Sequence, residues 1–398
     1  MASTPGTGTA RQLTLLACLA VCTLGPLSGI TQTAMPPVLP RIAEHFADVP
    51  NAGLLARAMM TGLSIAMVFG ALASGFLAER LGQLRLMFIC LGAYALSGLA
   101  SFFVDNLYFL VAMRIVLGLA NSAMGVLGTA ILATRLTGHR RDKWLGLFVT
   151  IGTVMSLVWV SLAGVLGAID WRLIFLLQLL AIPAAVFIGL TVSGDAPRSA
   201  DAAAKTQAGE IPVAMTLFGL LCGGIGSSVF IFLPFHLADI GLGDPKKIGL
   251  LLMISSAAGV AAALSFGWLR TFLAAIPVFA GGFVLTGAGL LVALTTDNFI
   301  ALSVALAVYG AGFGVVTPNL FSACSAATRM EMRTRVLGFM RAGFYAGPLL
   351  AQFPLEAIVR QGGASAALMT LGVASLAAAA LFVVFRGYFK PLPEEAAA

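Results

Sequence analysis

Twelve apolar stretches of membrane-spanning length fill this 398-residue chain, and one polar segment separates the first six from the last six. About 20 apolar residues in a helix cross the roughly 30 Å hydrocarbon core of a bilayer. The chain is 60% hydrophobic and only 10% charged, with a mean hydropathy of +1.00, which excludes a soluble globular domain. The pattern predicts an all-α membrane protein with 12 transmembrane helices in two pseudo-symmetric six-helix bundles, as in transporters built from a repeated half.

The predicted spans fall into two sets of six. They are Leu13–Ala34, Leu54–Leu77, Leu86–Val104, Leu107–Ala133, Trp144–Ile169 and Leu173–Val192, then Val213–Leu237, Ile248–Leu269, Phe272–Thr295, Phe299–Ala323, Val336–Val359 and Ala364–Phe385. The segment between them is polar, rich in alanine and without apolar periodicity, so we expect a flexible strap. The predicted domains are an N-terminal bundle at 1–192, a cytoplasmic linker at 193–210 and a C-terminal bundle at 211–398.

Lysine and arginine residues set the expected orientation. Most of the 23 basic residues fall on one side when the N-terminus is placed in the cytoplasm, which predicts that both termini are cytoplasmic. We therefore expect a multi-pass protein of the cytoplasmic (inner) membrane that is surrounded by lipid. A nucleic-acid partner is not expected, because the basic residues are scattered over short loops.

The loop after the second span, residues 75–85, reads GFLAERLGQLR. It resembles the cytoplasmic loop motif of the major facilitator superfamily, G-x-L-a-D-r-x-G-r-k. The matching positions are Gly75, Leu77, Arg80 and Gly82. Glu79 stands where the family usually has Asp, and Arg85 follows one place late. The resemblance implies a cytoplasmic latch in which Glu79 meets a helix N-terminus of the opposite half and Arg135 assists. An ordinary solvated loop is the alternative.

Four further segments resemble the same family. They are Pro37–Pro40 (PVLP), Arg114–Gly118 (RIVLG), Trp171–Phe175 (WRLIF) and Phe232–His236 (FLPFH). The first is similar to a signature of the twelve-span drug-efflux members. The resemblance implies a monomeric secondary transporter without a cofactor. It would export small organic molecules by alternating access, with protons as a candidate coupling ion.

One departure weakens the proton-antiporter assignment. The family's antiporter motif places Gly-Pro in the fifth span, but the fifth span here contains no proline. The eleventh span instead carries Gly347-Pro348, where the proline removes a backbone donor and predicts a helix kink. Uptake of an organic anion or metabolite, with or without a coupling ion, is therefore the alternative function.

Polar residues inside spans are candidates for a substrate cavity, because a polar group in hydrocarbon usually faces protein or water. Two stripes at helical spacing lie in the fourth and eleventh spans. The candidate cavity residues are Gln32, Arg114, Asn121, Trp159, Gln178, Tyr309, Asn319, Arg341, Tyr345 and Gln352. Helix–helix packing is the alternative for each of them.

Acidic residues are placed only in loops, tails and span ends, and Glu356 is among those closest to a span interior. With Arg114 and Arg341 inside spans, this favours a neutral or anionic substrate. His236 is a candidate proton site, because histidine titrates near neutral pH. An enzyme is not expected, since no HExxH motif or mid-span carboxylate occurs. The phosphate-binding loop of an ATP-driven pump, GxxxxGK[ST], is also absent from the sequence.

Overall fold

The computed structural model describes residues 13–136, 138–192, 213–327 and 330–384. Every regular element in these residues is helical. The α-helices are α1 (Leu15–Cys22), α2 (Leu24–Thr33), α3 (Leu39–His45), α4 (Ala52–Leu81), α5 (Gln83–Phe103), α6 (Leu107–Arg135), α7 (Gly138–Ile169), α8 (Leu173–Leu176), α9 (Ala181–Thr191), α10 (Val213–Asp239), α11 (Pro245–Phe272), α12 (Ala275–Ala293), α13 (Phe299–Ala326) and α14 (Met330–Val384). Short 3₁₀ turns at Pro36–Val38 and Leu177–Leu180 complete the first and sixth spans.

Eleven helical runs in the described residues are long and apolar enough to cross a membrane. The last of them, Ala342–Val384, contains the final two predicted spans. These two spans are separated by a break at Gly363, whose φ of 71° and ψ of −173° are not helical. The all-α prediction is confirmed, and the helices agree with the expected twelve spans. The polar linker at 193–210 lies outside the described residues.

The first span is longer than predicted. Helices α1, α2 and α3 and the 3₁₀ turn form one membrane-spanning run, Leu15–His45, whereas the predicted span ended at Ala34. The PVLP segment is part of this run, because proline is tolerated in the first turn of a helix. Arg41, which we assigned to an outer loop, therefore lies on α3.

Glycines allow the helices of each half to approach closely. A Cβ added to Gly25 on α2 would overlap the Phe148 carbonyl oxygen on α7, and one added to Gly223 on α10 would overlap the Phe344 carbonyl oxygen on α14. Within a bilayer, helices associate mainly through such van der Waals contact, since lipid is as apolar as the side chains. The glycine-rich sequence thus specifies tight packing within each half.

The buried apolar residues form three clusters. One comprises only residues between Leu13 and Val192, and two are built almost entirely from residues after 212. The exception is Val160 of α7, which packs into a cluster of the second half. The domain boundaries proposed from the sequence remain a prediction.

The two halves meet at one end, which we call the sealed end. It comprises α3, the first turns of α4 and α11, the last turns of α7 and α10, and the part of α14 around Glu356. A Cβ on Gly164 of α7 would lie 3.0 Å from the Cα of Gly249 on α11 and still closer to the Pro245 carbonyl oxygen. Phe235 of α10 packs against the core of the first half, and Met60 of α4 packs against a core of the second.

The opposite ends of the same helices are open. A Cβ added to Gly75 of α4, Gly146 of α7 or Gly267 of α11 would meet no atom of the described residues within 4 Å. Leu264 and Trp268 of α11 are 80% and 67% exposed. Two bundles in contact at one end and separated at the other match a transporter that is open to one side of the membrane.

Candidate functional site

An ion pair joins the two halves at the sealed end. Arg57 on α4 donates from Nε to Glu356 Oε2 at 3.0 Å, and from Nη2 to Oε1 at 2.5 Å. The side chains are only 8% and 11% exposed. A planar guanidinium fits a carboxylate at two points, which fixes the relative positions of α4 and α14. Removing one partner of such a buried pair typically costs about 3–5 kcal/mol, because an uncompensated charge remains.

Two aromatic rings of α10 cover the guanidinium of Arg57. Its Cζ lies 4.9 Å from the ring centroid of Phe235 and 6.0 Å from that of Phe232. The negative face of an aromatic ring attracts a cation. Arg57 therefore has two sources of stabilisation from the second half, one carboxylate and two rings.

Thr61 and Gln352 lie one helical turn further into the molecule. They are four residues from Arg57 and Glu356, so they share the same helix faces. Thr61 Oγ1 and Gln352 Oε1 are buried and have no hydrogen-bond partner in the described residues. The boundary between α4 and α14 thus changes from a charged pair to neutral polar groups with unused hydrogen-bonding capacity.

A polar crevice of about 680 Å³ lies on the surface side of the sealed end. It is lined by Pro40, Arg41, Glu44, Phe235, Ala238, Asp239, Gly243 and Asp244. Arg41 donates from Nη1 to the carbonyl oxygens of Gly167 and Ala168 at 3.1 and 3.0 Å, which ties α3 to α7. Because residues of both halves line it, this crevice would widen if the sealed end opened.

Arg114 is buried inside the first half, with 3% of its surface exposed. Its Nη2 lies 2.7 Å from the sulfur of Met35, and its Cζ lies 5.6 Å from the centroid of Phe175. Its Nε has no hydrogen-bond partner, and no carboxylate pairs with it within the described residues. Arg114 is therefore a buried cation that faces the interior of one bundle.

The other candidate residues of the first half differ in surroundings. Asn121 donates from Nδ2 to Ser28 Oγ at 3.3 Å, which links α6 to α2. Gln178 is buried and accepts from Ser97 Oγ at 3.3 Å. Gln32 is exposed on α2. Gln32 is thus available to line a cavity, whereas Asn121 and Gln178 are buried within the bundle.

Trp159 of α7 borders an apolar groove of about 420 Å³. The other lining residues are Thr23, Pro26, Leu27, Leu180, Pro183, Ala184 and Phe187. The indole Nε1 is buried without a hydrogen-bond partner in the described residues. The groove lies between the first, fifth and sixth spans of the first half.

Packing accounts for two candidates of the second half. Tyr309 is buried and donates to the Gly226 carbonyl oxygen at 2.5 Å. Asn319 donates to the Ala275 carbonyl oxygen at 2.8 Å, and its Oδ1 is buried without a partner in the part of the chain that the structure describes. Tyr345 is 44% exposed and can face a cavity. The side chain of Arg341 lies outside the described residues.

The predicted kink does not coincide with the break in the helix. Helix α14 keeps helical dihedral angles through Gly347 and Pro348, and only Gly363 departs from them among the residues described for this helix. Gly347 packs against Gly224 of α10, where a Cβ would overlap backbone atoms. The observed role of Gly347 is close helix packing, and the kink at Pro348 stays a prediction.

Two histidines lie near the sealed end. His236, the candidate proton site, is 3% exposed, and its Nδ1 lies 2.8 Å from Ser365 Oγ. His45 contacts the Asp105 carboxylate at 2.8 Å, and Arg172 reaches the same oxygen at 2.8 Å. Partial burial acts to raise the pKa of Asp105, but hydrogen bonds from His45 and Arg172 and their charges outweigh it and lower the pKa.

Comparison with known families decides the identity of this arrangement. The family model described as Major Facilitator Superfamily matches residues 21–352 and 239–397. The chain belongs to the Major Facilitator Superfamily. It is thus a multi-pass integral membrane protein from a family of transporters and not of enzymes.

Curated superfamily relatives match part of the chain. The arabinose-proton symporter of Escherichia coli K12 is 25% identical over 185 residues, which cover 46% of this chain and 38% of the symporter. YdgK of Bacillus subtilis, an uncharacterised transporter of the major facilitator type, is 30% identical over 144 residues, which cover 36% of this chain and 34% of that protein. The chain therefore matches only about two fifths of the symporter's length.

Solved structures of superfamily members share the fold. The inward open conformation of the xylose transporter XylE from E. coli superposes with a TM-score of 0.72 at 14% identity, covering 95% of this chain and 98% of that chain. The nucleoside transporter NupG gives a TM-score of 0.70 at 15% identity, covering 93% and 100%. At these identities the likeness establishes the fold alone.

The residues of the superfamily loop motif lie at the end of α4 and the start of α5. Gly82 has a φ of 88° and ends α4, a left-handed conformation that favours glycine. Glu79 is exposed and has no ion pair or hydrogen bond in the described residues, while Arg80 stacks on Phe76 with its Cζ 4.2 Å from the ring centroid. Arg85 is exposed, and Arg135 is buried in the last turn of α6. The predicted latch stays a prediction.

Sequence reasoning missed the ion pair at the sealed end of this superfamily member. Arg57 falls within the second predicted span, Leu54–Leu77, but it was not among the candidate site residues; in the structure it lies on α4 and is buried. The available signal was a single opposite charge near the same end of the second and eleventh spans. Charges inside spans are expensive unless paired, so Arg57 and Glu356 could have been matched as partners.

Proposed function

We propose that this protein is a secondary transporter that takes up a small polar organic solute by alternating access, coupled to protons. The observation that carries the proposal is the asymmetric contact between the halves: a buried ion pair seals one end, and the glycines at the other end face open space. Rocking of the two bundles would exchange these two ends.

The direction is inferred from the relatives and the expected orientation. Relatives named as arabinose-proton symporters move solute and proton together. The distribution of lysine and arginine favours an outer position for the sealed end and a cytoplasmic position for the open end. Export, which the PVLP motif suggested, is not supported by these relatives.

We infer the solute class from the polar candidate residues inside the spans. Gln32, Asn121 and Gln352 are neutral hydrogen-bonding side chains. No carboxylate lies at mid-depth in the sequence of the spans, which disfavours a cationic solute. We propose a hydroxylated neutral solute such as a pentose, with an organic monoanion as the next class because of Arg114.

The test is uptake of radiolabelled solutes into bacterial cells that lack their own pentose transporters. We expect accumulation above the medium concentration, abolished by a protonophore and by Gln352→Leu at equal membrane expression. Met369→Leu is the matched control, since this residue is 58% exposed on α14 and its replacement leaves the boundary between the halves intact. Accumulation of neither pentoses nor organic anions would contradict the proposal.

Export of apolar compounds is the second candidate, and the apolar groove beside Trp159 is the observation that favours it. Growth of a host without its own efflux pumps would distinguish the two. Raised tolerance to apolar toxic compounds, lost in Trp159→Ala, would favour export over uptake.

A further inference from the structure

We infer that Glu356 is the proton-binding residue that couples opening of the sealed end to proton entry, with Arg57 as its electrostatic partner. This inference rests on the proposed proton-coupled uptake and names its proton site. The geometry that carries it is a bidentate ion pair between the halves, buried at the one end where they touch.

The sealed end cannot open while this pair is intact. Arg57 is on α4 of the first half and Glu356 is on α14 of the second, so separation of the halves separates the two charges. A bare carboxylate in a poorly hydrated boundary is unfavourable. Protonation of Glu356 removes that charge and one side of the ion pair in a single step.

Arg57 is equipped to remain charged when its partner becomes neutral. The rings of Phe232 and Phe235 lie beside its guanidinium, and an aromatic face stabilises a cation without a counter-charge. In this arrangement the charge of Glu356 changes, and Arg57 stays positively charged.

The proton has a source and an exit. When the ion pair separates transiently, hydronium in the outer water transfers a proton to a Glu356 oxygen and becomes water, and the neutral carboxyl group formed can no longer restore the ion pair with Arg57. On closure the approaching guanidinium of Arg57 displaces that proton. Thr61 and Gln352, whose buried oxygens lack partners in the described residues, lie one turn toward the open end and provide a polar route to cytoplasmic water. One proton enters for each closure, in the direction of solute uptake.

Other charged and titratable groups lie on the elements around this pair. They are Arg360 on α14, His236 and Asp239 on α10, and Arg41 and Glu44 on α3. His236 contacts Ser365, and Arg41 is held by the carbonyl groups of α7. None of them forms an ion pair between the two halves in the described residues.

The experiment measures the width of the sealed end without any solute, so its failure would leave the uptake proposal standing. Spin labels are placed at Asp48→Cys and Gln361→Cys, two exposed positions near the sealed end in different halves. The five native cysteines are buried, and a sample without the added cysteines measures their background labelling. Distances are recorded by pulsed electron paramagnetic resonance in lipid nanodiscs between pH 5 and pH 8.

For the otherwise unchanged chain, we expect one short distance at pH 8 and at least a tenfold larger long-distance population at pH 5. Glu356→Gln should populate the long distance at every pH, whereas Glu356→Asp should keep the pH response. His236→Gln should also keep it, as the control for the neighbouring titratable group. Size-exclusion profiles identify variants that fail to fold.

Two results would overturn the inference. One is a distance distribution of the unchanged chain that does not respond to pH, even if Glu356→Gln opens the sealed end, because the pair would then be a lock without a proton. The other is a pH response that persists unchanged in Glu356→Gln, because another group would then bind the proton.

Discussion

Helices α7 and α11 carry glycines near both ends, yet the two ends have different surroundings. At the sealed end, Gly164 and Gly249 bring the two backbones into contact. At the open end, a Cβ added to Gly146 or Gly267 has no neighbour within 4 Å in the part of the chain that the structure describes. On each helix the two glycines are roughly five turns, or about 27 Å, apart, and so they lie on one face.

The same face of each helix therefore carries a glycine at the sealed end and a glycine at the open end. Helices α7 and α11 run antiparallel, so Gly146 is placed to approach Gly267 when Gly164 leaves Gly249. Glycines at unused contact positions are costly in a helix, by roughly 0.5–1 kcal/mol each relative to alanine. We therefore expect the open pair to become a contact in the alternative conformation.

The largest effect on the difference between the two ends is expected from reversing one charge of the ion pair. Glu356→Arg would place two guanidinium groups together at the sealed end. Loss of a buried ion pair costs about 3–5 kcal/mol, a shift of about 100-fold or more toward the open form of that end. The spin-label pair at positions 48 and 361 measures the shift. The exchange of both charges, Arg57→Glu with Glu356→Arg, should recover most of the short distance, and no recovery would count against a direct pairing.

A branched side chain in place of a glycine distinguishes the two ends of α7. Gly164→Val would collide with backbone atoms of α11, and overpacking of this kind costs about 1–3 kcal/mol. We expect a lower thermal unfolding midpoint and a wider sealed end. Gly146→Val is the matched variant on the same helix and should leave both quantities unchanged.

Uptake measurements test whether the glycines at both ends are needed for transport. Both Gly164→Val and Gly146→Val should slow transport, because each obstructs one of the two conformations. Normal uptake by Gly146→Val would show that the open pair never closes.

A smaller effect is expected at the surface of the sealed end, where Asp105 joins His45 and Arg172. The pKa of Asp105 is lowered in the folded protein, so its contribution to stability is present above its unfolded pKa of about 3.9 and is lost as pH falls through the folded value. The carboxylate is 50% exposed, so Asp105→Asn should cost less than about 1 kcal/mol at pH 7. Unfolding midpoints from pH 7 to pH 3 should converge for the two proteins, and a constant difference would contradict this account.

The weakest effect is expected at the open end. Trp268 is 67% exposed, and substitutions at such positions usually change stability by less than about 0.5 kcal/mol. Trp268→Ala should therefore leave the unfolding midpoint within 1–2 °C, roughly the shift expected for that free energy in a chain of this size. A clear decrease would indicate that the open end is covered in the purified protein.

Much of the fold could be predicted because hydrocarbon imposes a simple rule on sequence. Each span must be a long apolar helix, so the helices and the boundary between the last two spans followed from hydropathy. The first span was predicted to end at Ala34, whereas the helical run continues to His45, because Pro40 lies in the first turn of α3, where its missing N–H costs nothing.

The candidate site was less predictable from the sequence. Helical spacing shows which residues share one face of a helix, but it does not show which other helix that face contacts. Arg114 and Tyr309 are polar residues within apolar spans, yet both point into the interior of their own half. Arg57 and Glu356 lie far apart in the sequence and pair only because the two bundles touch there. The proposed roles of Gln32, Asn121, Tyr345 and Gln352 stay predictions.

The region that separates the two sides of the membrane is short, and its length decides where the membrane voltage falls. Water that enters from the open end would carry the cytoplasmic potential toward the sealed end, so most of the membrane voltage would fall across the buried turns that contain Thr61, Gln352, Arg57 and Glu356. One elementary charge that crosses this voltage gains about 2.3 kcal/mol per 100 mV. In the proposed orientation, a proton bound at Glu356 from outside and released inside crosses nearly the whole field. Solute uptake should then generate a current that an inside-negative potential accelerates.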